Sequence, residues 1–223
     1  MDPFLHGPLL LEAREDWAAR FGRDAPLEVE IGCGYGHFLM EYARRHPERN
    51  LVGIEFRPKL AYGLRRKLDR AGIGNAIVLR GDARRLLPML FAPGSVAAVH
   101  IQFPDPWWKK RHHKRRLVDA ELVTLLHGLL GDGGRVYLRT DILEYARQMI
   151  RCFEDGTGRF ENVEGPGTFA FDDGLGVPSN RERRYLDAGT PVYRLVYRCL
   201  ADLQGKAAHC SFEMTEEMGK IRK

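Results

Sequence analysis

The sequence predicts an α/β fold built on a mainly parallel sheet, and three observations predict it. Five short apolar runs recur along the first 140 residues, stretches with helical spacing separate them, and each run ends at or just before a carboxylate. Leu27–Ile31, Leu51–Glu55, Ala76–Arg80, Val96–Phe103 and Arg135–Thr140 are brief and apolar, as strands buried on both faces of a sheet are. Between them, Gly36–Arg45, Pro58–Ala71, Arg115–Leu130 and Ile142–Phe153 space apolar and charged residues as helices do. Strand–helix alternation of this kind indicates βαβ units. After Phe153 the rhythm changes: Phe160–Val163 and Val192–Cys199 read as two further strands, separated by a Gly/Pro-rich loop from Gly165 to Pro178.

The chain of 223 residues suits one medium domain with a substantial core. We expect an N-terminal extension over residues 1–26 with one helix around Leu9–Phe21, a domain over 27–200, and a polar tail over 201–223 with a short helix. No apolar run approaches the roughly 20 residues of a membrane span, and no basic-then-apolar leader opens the chain, so a cytoplasmic protein is expected. Cys33, Cys152, Cys199 and Cys210 are widely spaced without a CxxC pair, which speaks against a zinc site or disulfide framework; no metal is expected.

Charge is concentrated. Lys109-Lys110-Arg111-His112-His113-Lys114-Arg115-Arg116 contributes +6 to a chain whose net charge is +5. A solvated helix face is the ordinary explanation of a charge run. Here the run is single-signed and follows Phe103-Pro104-Asp105-Pro106-Trp107-Trp108, a turn that a solubility patch does not need. Of the two tryptophans, Trp107 reads as packed against the strand end, and Trp108 as open between packing and stacking on a base.

Glu30, Glu55, Asp82, Asp105 and Asp141 all fall at C-terminal strand ends, the edge where open α/β sheets bind ligands. Any one could be a helix cap or turn residue; five in the same relative place converge on one crevice. Leu27–Ile31 leads into Gly32-Cys33-Gly34-Tyr35-Gly36, a G-x-G-x-G loop opening a helix, where glycine permits sharp turns and close ligand approach. The dinucleotide fingerprint is G-x-G-x-x-G and presents a helix N-terminus to a pyrophosphate. Carboxylates at Glu30 and Asp105 oppose that anion, since a unit-charge pair at ~4 Å is worth about 4 kcal/mol at an effective dielectric near 20. They favour a ligand with ammonium and sulfonium groups, such as S-adenosylmethionine. Glu55 is placed for ribose hydroxyls and Asp82 for an adenine amino group.

These residues resemble the tRNA (guanine-N7-)-methyltransferase family of class I methyltransferases. The resemblance runs from Leu27 to Cys199 and rests on Glu30-Ile31-Gly32-x-Gly34-x-Gly36, Gly53-Ile54-Glu55, Gly81-Asp82-Ala83, Thr140-Asp141 and Ser179-Asn180-Arg181-Glu182-x-Arg184. The most specific part is Phe103-Pro104-Asp105-Pro106-Trp107 with its basic continuation; Gly189 and Tyr193 follow at the expected spacing. It implies a Rossmann-like fold with a seven-stranded, mainly parallel sheet and helices on both faces, S-adenosyl-L-methionine as cofactor, and a guanine of the tRNA variable loop (position 46) as acceptor.

Carried over by motif, the resemblance implies cofactor contacts from Glu30, Gly32, Gly34, Gly36, Glu55, Asp82, Ala83 and Asp105, with Asp105 also the catalytic residue. It implies substrate contacts from Lys109, Asp141, Ser179, Asn180, Arg181 and Glu182. Lys110, Arg111, Lys114, Arg115 and Arg116 are expected on tRNA phosphates. The family carries Thr where this chain has Ser179, a loss of one methyl and some rotamer restriction. Ser179-x-x-Glu182 also reads as a capping box. A monomer or homodimer is expected, and no protein partner is evident. The alternatives are a methyltransferase acting on another nucleic-acid base, a non-catalytic RNA-binding scaffold, and an NAD-dependent oxidoreductase, which the glycine spacing and Glu30 disfavour.

Overall fold

The alternation Leu27-Glu28-Val29-Glu30-Ile31 makes a strand, β1 (Leu27–Ile31), with apolar side chains on one face and carboxylates on the other. In the computed structural model, which describes residues 14–178 and 180–201, six more strands follow: β2 (Asn50–Glu55), β3 (Ala76–Arg80), β4 (Val96–Gln102), β5 (Leu130–Thr140), β6 (Phe160–Asn162) and β7 (Tyr193–Cys199). They form one sheet in the order β3-β2-β1-β4-β5-β7-β6, parallel from β3 through β5, with β7 antiparallel to both β5 and β6. The strand order reverses between β1 and β4. In a sheet of this kind a crevice opens there, outside the C-terminal strand ends.

Seven helices are described: α1 (Trp17–Phe21), α2 (His37–Arg45), α3 (Pro58–Arg70), α4 (Ala83–Leu90), α5 (Ala120–Leu129), α6 (Leu143–Phe153) and α7 (Asn180–Asp187). The apolar half of β1 packs with α1, α4, α5 and α6 in one core that includes Trp17, Val29, Leu87, Leu122 and Met149. A second core, with Phe38, Leu39, Leu64 and Val177, joins α2, α3 and the loop before α7. Trp17 anchors α1 by stacking on Phe91 at 4.9 Å and donating to the Leu90 carbonyl at 3.2 Å. Asp16 caps the same helix by accepting from Ala19 N.

The face under the second core also carries a polar row. Strand register aligns Glu30 with His100 and Gln102 with Arg139 across β1, β4 and β5. Glu28 is buried there, accepting from Arg49 and lying 2.7 Å from His100 Nε2. Burial alone would raise its pKa; the hydrogen bond and charge of His100, with Arg49, hold the carboxyl below its usual range.

Several boundaries differ from expectation for identifiable reasons. The helix expected over Arg115–Leu130 is a 3₁₀ turn over Lys110–Arg115 followed by α5, which starts only at Ala120. Asp119, in extended backbone, caps α5 by accepting from Leu122 N at 2.9 Å, so its side chain sets the start. Helix α4 was not expected. Pro88 sits inside it, but Asp82 caps its first turn and four apolar residues bury its inner face. Strand β5 begins at Leu130 instead of Arg135, with a register irregularity against β4 through the glycines 131, 133 and 134. The N-terminal helix begins at Trp17; the part expected over Leu9–Ala13, and the tail helix beyond Ala201, lie outside the described residues. Among the described residues no helix is long and apolar enough to cross a membrane.

Candidate active site

Glycine conformations build the floor of the crevice. Gly32, Gly34 and Gly36 all take positive φ, +78°, +54° and +78°. At Gly36, which opens α2, an added Cβ would meet Leu64 Cδ1 of α3 at 2.0 Å, so the loop also needs glycine for close packing. Gly34 N donates to Glu55 Oε2 at 2.8 Å, tying the loop to the end of β2. The other Glu55 oxygen accepts from Arg57 N at 2.9 Å.

A cleft of about 590 Å³ lies over these strand ends. Gly32, Glu55, Asp82, Ala83, Gln102 and Asp105 contribute to its wall. Four of the strand-end carboxylates therefore meet in one region: three on the wall and Glu30 buried on the adjoining strand. Asp82 spends one oxygen capping α4, accepting from Arg84 N at 3.0 Å, so the capping and cleft-lining roles coexist. Asp105 is exposed and makes no hydrogen bond or ion pair among the described residues. Its turn is held by two aromatic residues in left-handed backbone, Phe103 at φ +48° and Trp107 at φ +46°. Such conformations cost on the order of 1–3 kcal/mol each and concentrate at ligand sites.

Glu30 does not reach the cleft wall. Its side chain is buried, its Oε2 has no partner among the described residues, and desolvation together with the Glu55 charge raises its pKa to about 8. Gln102, which sequence reasoning missed, has neither amide atom satisfied among the described residues although both are buried. Orphaned buried polar groups at adjacent strand ends are rare in folded proteins and call for an outside partner. A ligand with ammonium donors and a carboxylate acceptor fits this set, and S-adenosylmethionine has both. Gln102 had a sequence signal, being the polar residue that ends the apolar run of β4. Phe56 was missed as well: it follows Glu55 on the cleft wall and is 71% exposed, an apolar ring open to a ligand.

The substrate residues separate into two groups. Arg181 of α7 ion-pairs with Asp141 at 3.5 Å, donates to Tyr185 Oη at 2.9 Å and lies over the Phe103 ring. This brings the end of β5, the start of α7 and the Asp105 turn together. Glu182, expected to face a base, is buried instead. Its oxygens accept from Arg139 at 2.7 Å and from Arg194 at 2.5 Å, and Arg139 also forms a two-bond pair with Asp173. Its carboxylate is committed to positioning α7. Of Asn180 only the backbone, at the start of α7, is described, and Ser179 lies outside the described residues.

The basic run also divides. Lys109, Lys110, Arg111, Lys114 and Arg115 are exposed, in a position to meet an anion. Arg116, expected on phosphate, is 3% exposed; it donates to the Pro106 carbonyl at 2.8 Å and to Gln148 at 2.6 Å, and lies over the Tyr145 ring. It is a structural bolt behind the Asp105 turn. Charge alone made it look like its neighbours; the turn of the backbone points it inward.

Solved structures of similar shape include methyltransferases. They include the aminoglycoside resistance methyltransferase NpmB1 (TM-score 0.55, 19% identical, covering 84% of this chain and 94% of that one). Another is a SAM-dependent methyltransferase from Aquifex aeolicus (TM-score 0.54, 10% identical, 82% and 88% covered). Residues 24–195 match the family model described as "Putative methyltransferase". Sequence relatives narrow the class. The tRNA (guanine-N(7)-)-methyltransferase of Anaeromyxobacter dehalogenans is 53% identical over 84% of this chain and 93% of its own length. That of Myxococcus xanthus is 46% identical over 82% and 88%. The chain belongs to the tRNA (guanine-N(7)-)-methyltransferase family.

Proposed function

We propose that this chain transfers a methyl group from S-adenosyl-L-methionine to N7 of a guanine in the variable loop of tRNA, at position 46. The observation that carries the reading is the placement of Asp105. It is an unpartnered carboxylate, among the described residues, on the wall of the strand-end cleft, and a turn of five exposed cations begins four residues later. A crevice for a cationic donor and a grip for a polyanion share one hinge of backbone.

The cofactor supplies an electrophilic methyl on a sulfonium. Glu30, Gln102, Glu55, Asp82 and Asp105, with Ala83 and the glycines 32, 34 and 36, are the residues that would hold it. Guanine N7 carries a free lone pair and no proton, so no general base is needed. Methyl transfer would form the N7–C bond as the S–C bond breaks with its electron pair returning to sulfur, so positive charge would pass to the purine, where the Asp105 carboxylate would stabilise it electrostatically. Asp141 and Arg181 orient the base, Glu182 acts by holding α7, and Lys109, Lys110, Arg111, Lys114 and Arg115 take the phosphates. The domain over 27–200 carries this machinery.

Incubation with unmodified tRNA and labelled donor, followed by alkali-labile cleavage mapping, tests both the reaction and the position. Methylation at another nucleotide would refute the position. Full turnover by Asp105→Asn at saturating donor would refute the role of that carboxylate.

A further inference from the structure

Two adjacent tryptophans follow the Asp105 turn, and the fold treats them differently. Trp107 is half-buried, with Arg115 over its ring at 5.1 Å and His112 edge-on at 5.9 Å. Trp108 is 71% exposed, and its ring makes no aromatic or cation–π contact among the described residues. Beside it is a second recess of about 380 Å³, lined by Asp105, Pro106, Trp107, Trp108, Lys109 and His112. The two cavities share Asp105 and Trp107 but are otherwise distinct.

An exposed tryptophan leaves one of the largest apolar surfaces a side chain can bury open to solvent, here beside a recess that a flat ring can enter. The recess beside it is lined by both indoles and by Lys109, with Lys110 and Arg111 exposed next in the chain. A flat π surface next to cations matches a nucleobase joined to a phosphate, and stacking of this kind tolerates any base.

We propose that Trp108 and this recess form a stacking site for an unpaired tRNA nucleotide next to the acceptor guanine. The acceptor itself belongs at the cleft on the other side of Asp105, where the donor would lie. The base at Trp108 is therefore a neighbour on the same strand, and its stacking holds the RNA splayed while the guanine enters. This rests on the tRNA reading above and adds a contact to it.

Steady-state methylation of an unmodified tRNA transcript by the full chain, as wild type, Trp108→Ala and Trp108→Phe, is the test. Base–aromatic stacking strengths imply that Trp108→Ala raises KM for tRNA roughly 5- to 150-fold. kcat and KM for the donor stay unchanged, and Trp108→Phe remains within a few-fold of wild type. An unchanged KM for tRNA, or a fall in kcat at saturating tRNA, overturns the stacking site. So does a change in oligomeric state of Trp108→Ala by sedimentation, which would make the patch an interface between copies. No methylation by the wild type would instead sink the tRNA reading, so the two failures are distinguishable.

Discussion

Arg139→Met should destabilise the fold more than any surface substitution, and the structure sets the scale. Arg139 is 2% exposed and makes four hydrogen bonds: two to Asp173 at 2.5 and 2.7 Å, one to Glu182 at 2.7 Å and one to the Val177 carbonyl at 2.7 Å. Arg194 continues to pair with Glu182 in the variant, whereas Asp173 loses its only ion-pair partner among the described residues while its side chain stays buried. Removing one partner of a buried pair costs about 3–5 kcal/mol, because the other charge is left in a medium that cannot solvate it. Against a total stability of about 5–15 kcal/mol this is a large fraction. For a chain of this size it corresponds to a fall in Tm of roughly 6–20 °C. Urea unfolding monitored by circular dichroism reads the change directly. Arg139→Lys should recover only part of it, since an ammonium cannot reproduce the planar two-bond pairing. The double variant Arg139→Met/Asp173→Leu should lose less than Arg139→Met alone, because no orphaned charge remains. A loss under about 1 kcal/mol for Arg139→Met, or additive losses in the double variant, would refute the reasoning.

Glu30 yields a pH prediction. With its carboxyl raised to about 8 in the folded state and near 4.5 when unfolded, the native protein binds the extra proton between those values. Stability contributed by this group is therefore greatest below pH 4.5 and falls as pH rises toward 8, by up to about 4 kcal/mol. Glu30→Gln should remove that slope and be the more stable protein at pH 8 without donor, yet bind S-adenosylmethionine more weakly; a slope that persists in the variant assigns it elsewhere. Calorimetry at pH 7 in buffers of different ionisation enthalpy should show donor binding releasing close to one proton, and no release would mean that Glu30 stays protonated. In the basic turn, replacing Lys110, Arg111, Lys114 and Arg115 with Ala should weaken tRNA binding. It should also flatten log K against log salt by about 0.7–0.9 for each phosphate that is no longer neutralised. Arg116→Ala should instead lower Tm with little effect on that slope, and the opposite pattern would contradict the inward orientation of Arg116.

Much of the architecture was written locally. The five parallel strands, the glycine turn and the carboxylates at the strand ends could be read from short windows, because apolar runs, glycine and N-cap chemistry act over a few residues. The resemblance of Phe103–Arg116 to a methyltransferase family was equally local. What could not be read was the direction in which individual charges point. Arg116 and Arg115 are neighbours of the same type, yet one is bolted to Pro106, Gln148 and Tyr145 while the other is exposed over Trp107. Glu182 sits in a segment that spells a capping box, yet two arginines from distant strands claim its carboxylate. Glu30 reads as a ligand for a cation, and only the packing around it shows a buried acid with one oxygen unpartnered among the described residues. The sequence by itself determined the strands, the sheet class and the family, since these depend on pattern along the chain. The tertiary structure decided which charges face solvent, which are paired and which are buried without a partner among the described residues. Desolvation and ion pairing depend on what the fold brings within a few ångströms, and residues far apart in the chain supply it.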